Sequence, residues 1–326
     1  MNLSVPVSNQ TAPFPTKRTT YGIFSCENGW DCADSLIISV MSVVTLIFYI
    51  RASNIIAKDR AKLLGKTEKV VFNIALAQIA VVAFVKTFYD SYFWHSTLQT
   101  ISLIKDICIC VVIAYNYFLE QHYETVHKTA QAGVVIAAVL WVYSFIENPT
   151  TSLDATCSIA NNLLFSGMNL LVSGVSAAIG YLALKLMIRF QNEEYGNEKQ
   201  TQVWEMKHLE MKNKQIEITV LLVATVSANV VAFLWDIHKF IKGDTRDRCW
   251  AFYHAPGLSM FLKNMVLDLW TILIPLWAIY YVYFMRYQSY FKQATRQEFR
   301  SRLSDFDDPR SEMIELDSTT EYRQAP

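Results

Sequence analysis

The sequence predicts an all-α membrane protein, a seven-transmembrane helix bundle with its amino terminus outside and its carboxyl terminus cytoplasmic. Three observations carry that reading. Seven long apolar stretches cover 35–50, 70–88, 98–119, 130–146, 160–190, 216–240 and 257–284, and a hydrocarbon core of about 30 Å needs roughly 20 apolar helical residues. Charged residues are only 18% of the chain against 52% hydrophobic, and they gather in the connections. Four of the six cysteines fall on one side of the resulting alternation. Such a chain leaves no room for a soluble catalytic domain, and no cofactor, metal or nucleic-acid partner is expected.

The segment 1–34 contains the sequons Asn2-Leu-Ser and Asn9-Gln-Thr, which are glycosylation acceptors only where a segment enters the secretory lumen. Span one is then expected to serve as both signal and anchor. The connection 51–69 holds six Lys/Arg, 191–215 holds four, and the stretch from Met285 onward holds seven. The connections 89–97 and 147–159 hold none, while 241–256 holds three. The positive-inside bias therefore puts the first residue outside and the last in the cytoplasm, as an odd number of spans requires.

Cys26, Cys32, Cys157 and Cys249 all lie on the predicted oxidising face. They permit two disulfides in three connectivities; Cys26–Cys32 with Cys157–Cys249 is the simplest. Cys108 and Cys110 sit inside span three, where positions i and i+2 point to different faces, and read as small buried side chains. The six histidines form no HxxxH or HxxH pair and divide between the two sides, which argues against an intramembrane zinc hydrolase.

Ionisable residues inside the spans are costly in hydrocarbon and usually face the bundle interior or a wet cavity. Lys105 and Asp106 stand about 11–12 Å into span three, and Asp268 about 16 Å into span seven, at about 1.5 Å per residue. Lys86 lies in the outer third of span two, Lys263 in span seven, and Asp236 and His238 flank Trp235 at the end of span six. Lys86, Lys105, Asp106, Trp235, Lys263 and Asp268 are accordingly the candidate ligand-binding residues, with Trp94 and Trp270 as further aromatic walls. Plainer roles compete. Lys86 and Asp90 are spaced as an i,i+4 pair, Lys263 could snorkel to the interface, and Asn169, Ser173 and Asn229 suit interhelical hydrogen bonds.

Residues 73–78 read Asn-Ile-Ala-Leu-Ala-Gln and 120–126 read Glu-Gln-His-Tyr-Glu-Thr-Val, with a single Trp141 in span four. These windows resemble the Asn-Leu-Ala-x-Ala-Asp and Asp-Arg-Tyr-x-x-Val signatures of rhodopsin-like G-protein-coupled receptors, and the chain looks most like the divergent chemoreceptor-type seven-helix proteins of invertebrates. Gln78 replaces the signature Asp, Gln121 and His122 replace Asp-Arg, and Thr97 stands where a cysteine is usual. Pro275 lacks the flanking Asn and Tyr, and no proline follows Trp235. The resemblance implies a receptor of the plasma membrane that senses an extracellular ligand, with Gln121, His122 and Tyr123 coupling to a heterotrimeric G protein. A transporter or channel, or a non-signalling structural or trafficking protein, is the alternative.

The connection 192–217 mixes Glu and Lys at helical spacing, so spans five and six are expected to continue as helices beyond the lipid. Residues 285–303 read as an amphipathic helix on the cytoplasmic lipid surface. Residues 304–326 form an acidic segment with Ser304, Ser311 and Ser318, expected to be disordered and phosphorylatable.

Overall fold

The computed structural model describes residues 29–58, 65–88, 92–118, 123–147, 159–195, 202–242 and 258–286. Among them there is no strand. The helices are α1 (Gly29–Lys58), α2 (Lys66–Thr87), α3 (Tyr92–Phe118), α4 (Tyr123–Glu147), α5 (Ile159–Tyr195) and α6 (Gln202–Lys242). The seventh, α7, joins Leu258–Asp268, a π turn at Leu269–Leu273, Ile274–Tyr280 and a second π segment at Tyr281–Arg286. All seven are long and apolar enough to cross a membrane. The chain is an integral, multi-pass membrane protein.

Most helices outrun the apolar windows, because the backbone ladder does not stop where the hydrocarbon does. Arg51 and Lys58, placed by charge in a connection, belong to α1. α5 and α6 extend toward each other to Tyr195 and from Gln202, as the Glu/Lys spacing of that connection predicts. α3 starts at Tyr92, earlier than 98, so Asp106 lies about 21 Å from its first residue and is a mid-helix group. Tyr123 opens α4 and does not close α3.

Neighbour contacts run α1–α2–α3–α5–α6–α7 and back to α1, a closed ring, with α4 outside it against α3. Burial agrees: half of the apolar window of α3 is buried, and only 6% of that of α4. The outer surface is apolar, with Val40, Ile47, Val135, Val139, Leu171, Tyr181 and Val223 all exposed, whereas Ser42, Gln78, Lys105, Asp106, Asn162 and Ser173 are buried. This inversion is what lipid as solvent demands.

The interior has two chemistries along its length. One core joins Tyr49, Phe72, Ile79, Ile113, Leu221, Leu276 and Ile279 from five helices at one end of the bundle. A smaller one joins Leu103, Ile107, Ala137 and Phe165 across α3, α4 and α5. Along α5 the buried positions Asn162, Ser166, Asn169, Ser173, Ser176, Gly180 and Ala183 repeat at four and three residues. Its serines bond back to their own helix, Ser173 to the Leu170 carbonyl at 3.0 Å and Ser176 to that of Val172 at 2.8 Å, so small side chains admit close packing without orphan hydroxyls.

Pro275 has no N–H to donate to the preceding turn. The ladder accommodates it with the wider turn Leu269–Leu273, in which the Ile274 N–H reaches back to the Leu269 carbonyl. Tyr49 on α1 ties down the next segment, donating its hydroxyl to the Leu276 carbonyl at 2.5 Å.

Gly180 faces α6 at short range: a Cβ there would press on the Leu222 side chain and touch that of Ile218. Gly174, two turns away, has nothing within 4 Å of its Cβ position. Gly180→Val is therefore expected to destabilise the purified protein by about 1–3 kcal/mol, whereas Gly174→Ala should be neutral or slightly stabilising. Thermal unfolding in detergent checks this, and equal behaviour of the two variants would remove the close-approach argument.

Candidate functional site

The polar residues of α3 fall on one stripe. His95, Gln99, Ser102 and Asp106 follow a spacing of four, three and four residues; the same stripe continues as Ile109 and Ile113, which are buried and apolar. One half of this face is therefore built for polar contacts and the other for dry packing.

At the start of the stripe, Gln99 donates to Asn162 of α5 at 2.8 Å and lies 3.2 Å from the ring nitrogen of His95. His95 is within electrostatic reach of Lys86 on α2 and of Asp236 and Lys239 on α6. Asp236 and Lys239 form an i,i+3 pair at 2.9 Å. Lys86 reaches across to α7, where its ammonium meets the Asp268 carboxylate at 2.6 Å. This half of the bundle thus gathers charges of both signs from α2, α6 and α7, with the His95 ring of α3 and the amide of Asn162 from α5. Beside the cluster, the Trp235 indole stacks on His238 with ring centres 5.7 Å apart.

Deeper, Lys105 and Asp106 are fully buried and pair at 3.5 Å. Asn229 of α6 donates to the other Asp106 oxygen at 2.7 Å and also to the Asn169 carbonyl of α5 at 3.3 Å, so one amide ties three helices to one carboxylate. A charge in such a position is retained only with its partners in place.

A second charged layer closes the opposite end. The Glu68 carboxylate accepts from the Gly65 N–H at 2.5 Å and from Lys214 of α6 at 3.0 Å; Lys214 also meets Glu217 at 3.0 Å. A Cβ at residue 65 would meet the folded-back Glu68 carboxylate, the movable end of a flexible side chain. Arg286 donates to Asn213 at 2.7 Å and fastens the end of α7 to α6.

Of the sequence candidates, Lys86 with Asp268 and Lys105 with Asp106 are brought together in pairs. Trp235 flanks the cluster. Lys263 is exposed, five residues from Asp268 on another face. Trp270 is exposed too, while Trp94 packs on Phe84 and Phe93 with ring centres 5.1 Å away in each case. Asn229 makes the expected interhelical bonds; Ser173 does not, bonding instead within its own helix. Cys108 and Cys110 are free thiols, half-buried, and Cys32 is disulfide-bonded. Asn2, Asn9, Cys26, Asp90, Gln121, His122, Cys157, Cys249 and the segments 287–303 and 304–326 lie outside the described residues, as does the side chain of Tyr123. Sequence reading passed over His95, Gln99, Asn162, Lys239 and the Glu68–Lys214–Glu217 layer. The first three were accessible through the four-and-three spacing on α3 and α5. The last was hidden because its members are far apart in sequence and look like ordinary connection charges.

No family model, curated protein or solved structure matches the chain.

Removing Asp106 alone strands a buried ammonium and is expected to cost about 3–5 kcal/mol. The double change Lys105→Met with Asp106→Leu removes both charges and should lose less. Unfolding of the two variants beside the wild type in detergent distinguishes this from simple loss of volume, for which the double change would be at least as damaging.

Proposed function

We propose that the chain is a receptor-like membrane protein that senses an extracellular ligand and passes the change to a cytoplasmic partner, with a heterotrimeric G protein as the partner to test first. One observation carries the reading. α2 bears Lys86 near one end, paired to α7, and Glu68 near the other, paired to α6. The two are separated by about 27 Å along a single continuous helix.

A ligand that binds better when Lys86 and Asp268 are apart favours a different setting of α2 against α7, by the difference in its affinity for the two states. The far end of α2 shares that movement, and the Glu68–Lys214–Glu217 clamp is the contact it strains. Positive-inside bias sets the Lys86–Asp268 layer outside and the clamp in the cytoplasm, in a plasma-membrane protein with glycans at Asn2 and Asn9 and the outer cysteines bridged. The partner surface then combines the ends of α5 and α6 with Gln121 and His122, which lie between α3 and α4 in sequence, and Tyr123, which opens α4. Lys86, Asp268 and Trp235 face the ligand, with Lys105 and Asp106 as the floor beneath.

Breaking the clamp without ligand should imitate activation. Lys214→Gln is expected to raise ligand-independent nucleotide exchange on G protein, measured with the full chain in nanodiscs, while Lys86→Ala and Asp268→Ala retain surface expression. Failure of every variant to stimulate exchange or to co-purify with a G protein would sink the coupling, and ion currents from the chain alone would move the assignment to a channel. A mobility shift on enzymatic deglycosylation, lost in Asn2→Gln with Asn9→Gln, tests the orientation independently.

A further inference from the structure

On the surface of α1 lies a groove of about 560 Å³, lined by Ile47, Ile50, Arg51, Asn54 and Ile55. We propose that it binds one anionic phospholipid from the surrounding leaflet.

The lining residues recur at three to four positions, so they occupy a single face of α1 that is turned away from the bundle. Arg51 is exposed, and it sits about 9 Å before the point where the apolar window of α1 ends at Ala57. None of the ion pairs among the described residues includes it. A guanidinium cannot shed its proton, and a planar fork of donors matches a phosphate in two-point contact. Asn54, exposed and one turn nearer the helix end, supplies a second polar group for the headgroup.

The rest of the groove selects against a soluble anion. Ile47, Ile50 and Ile55 offer hydrocarbon on either side of Arg51, which an acyl chain covers and inorganic phosphate does not. Alongside, the Phe48 ring of α1 meets Trp277 and Tyr280 of α7 with centres 6.3 and 6.2 Å away. Trp277 and Tyr281 are exposed on that flank. Aromatic rings of this kind collect at the level of lipid headgroups. Tyr280 is itself within electrostatic reach of Arg51. Cation, amide, apolar walls and interfacial rings together describe a phospholipid with a net negative headgroup. The site stands whether or not the receptor reading does.

The experiment is native mass spectrometry of the delipidated full chain with equimolar phosphatidylglycerol and phosphatidylcholine of the same acyl composition. The wild type should retain phosphatidylglycerol about fivefold better, the effect of one basic residue on an anionic headgroup. Arg51→Gln should abolish the preference, Arg51→Lys keep part of it, and Arg189→Gln, a basic residue near the end of α5, leave it unchanged. Asn54→Leu keeps the charge and should weaken retention, which covers the case in which Arg51→Gln fails to fold. Equal retention of the two lipids by the wild type, undiminished preference in Arg51→Gln, or displacement of the bound lipid by inorganic phosphate would overturn the proposal.

Discussion

A carboxylate sealed in the middle of a helix bundle has no water to turn to, and the placement of α3, α5 and α6 answers that constraint at Asp106. Asn229 supplies the donor, its second hydrogen reaches the Asn169 carbonyl, and Lys105 balances the charge. The two Asn229 bonds run between helices and fix rotation as well as distance, whereas Lys105 is Asp106's own neighbour on α3. The α5 seam of small polar side chains follows from the same demand, with serines short enough to let the helices close and bonded back to their own helix.

From that centre the two halves of the interior diverge. Toward Gln99 and Lys86 the contacts between helices are hydrogen bonds and ion pairs; toward Ile113 and Leu276 they are apolar, the Tyr49–Leu276 hydrogen bond apart, until the Glu68–Lys214 layer. Directional contacts have alternatives of comparable energy, because a lysine can exchange one carboxylate for another. Close-packed apolar contacts resist sliding. The polar half is thus the half able to change partners, and the dry half transmits what it does as a block.

The helices themselves were legible because lipid imposes a length and a composition that few other environments do. Their ends were not: hydropathy reports where hydrocarbon stops, and α1 continues through Arg51 to Lys58 regardless. Buried Lys105 and Asp106 stood out in sequence as charges in an apolar run. That Lys86 would meet Asp268, rather than a neighbour on its own helix, depends on how α2 leans on α7, and no local pattern encodes that. Lys263 and Trp270 show the converse error. A polar or aromatic residue within a span need not face inward, and the rotation of α7 leaves both exposed.

That rotation is set partly by the π turns on either side of Ile274–Tyr280. Each π turn holds one residue more than an α turn, and a single residue corresponds to about 100° around the axis. α7 therefore carries slack in its winding on both sides of Pro275. Tightening one turn while loosening the other would gear the intervening segment round by about 100° and advance it by about 1.5 Å, leaving both ends of the helix where they were. The segment is held by Tyr49 and carries Leu276 and Ile279 into the dry core, so such a turn requires that bond to break and those neighbours to repack with it.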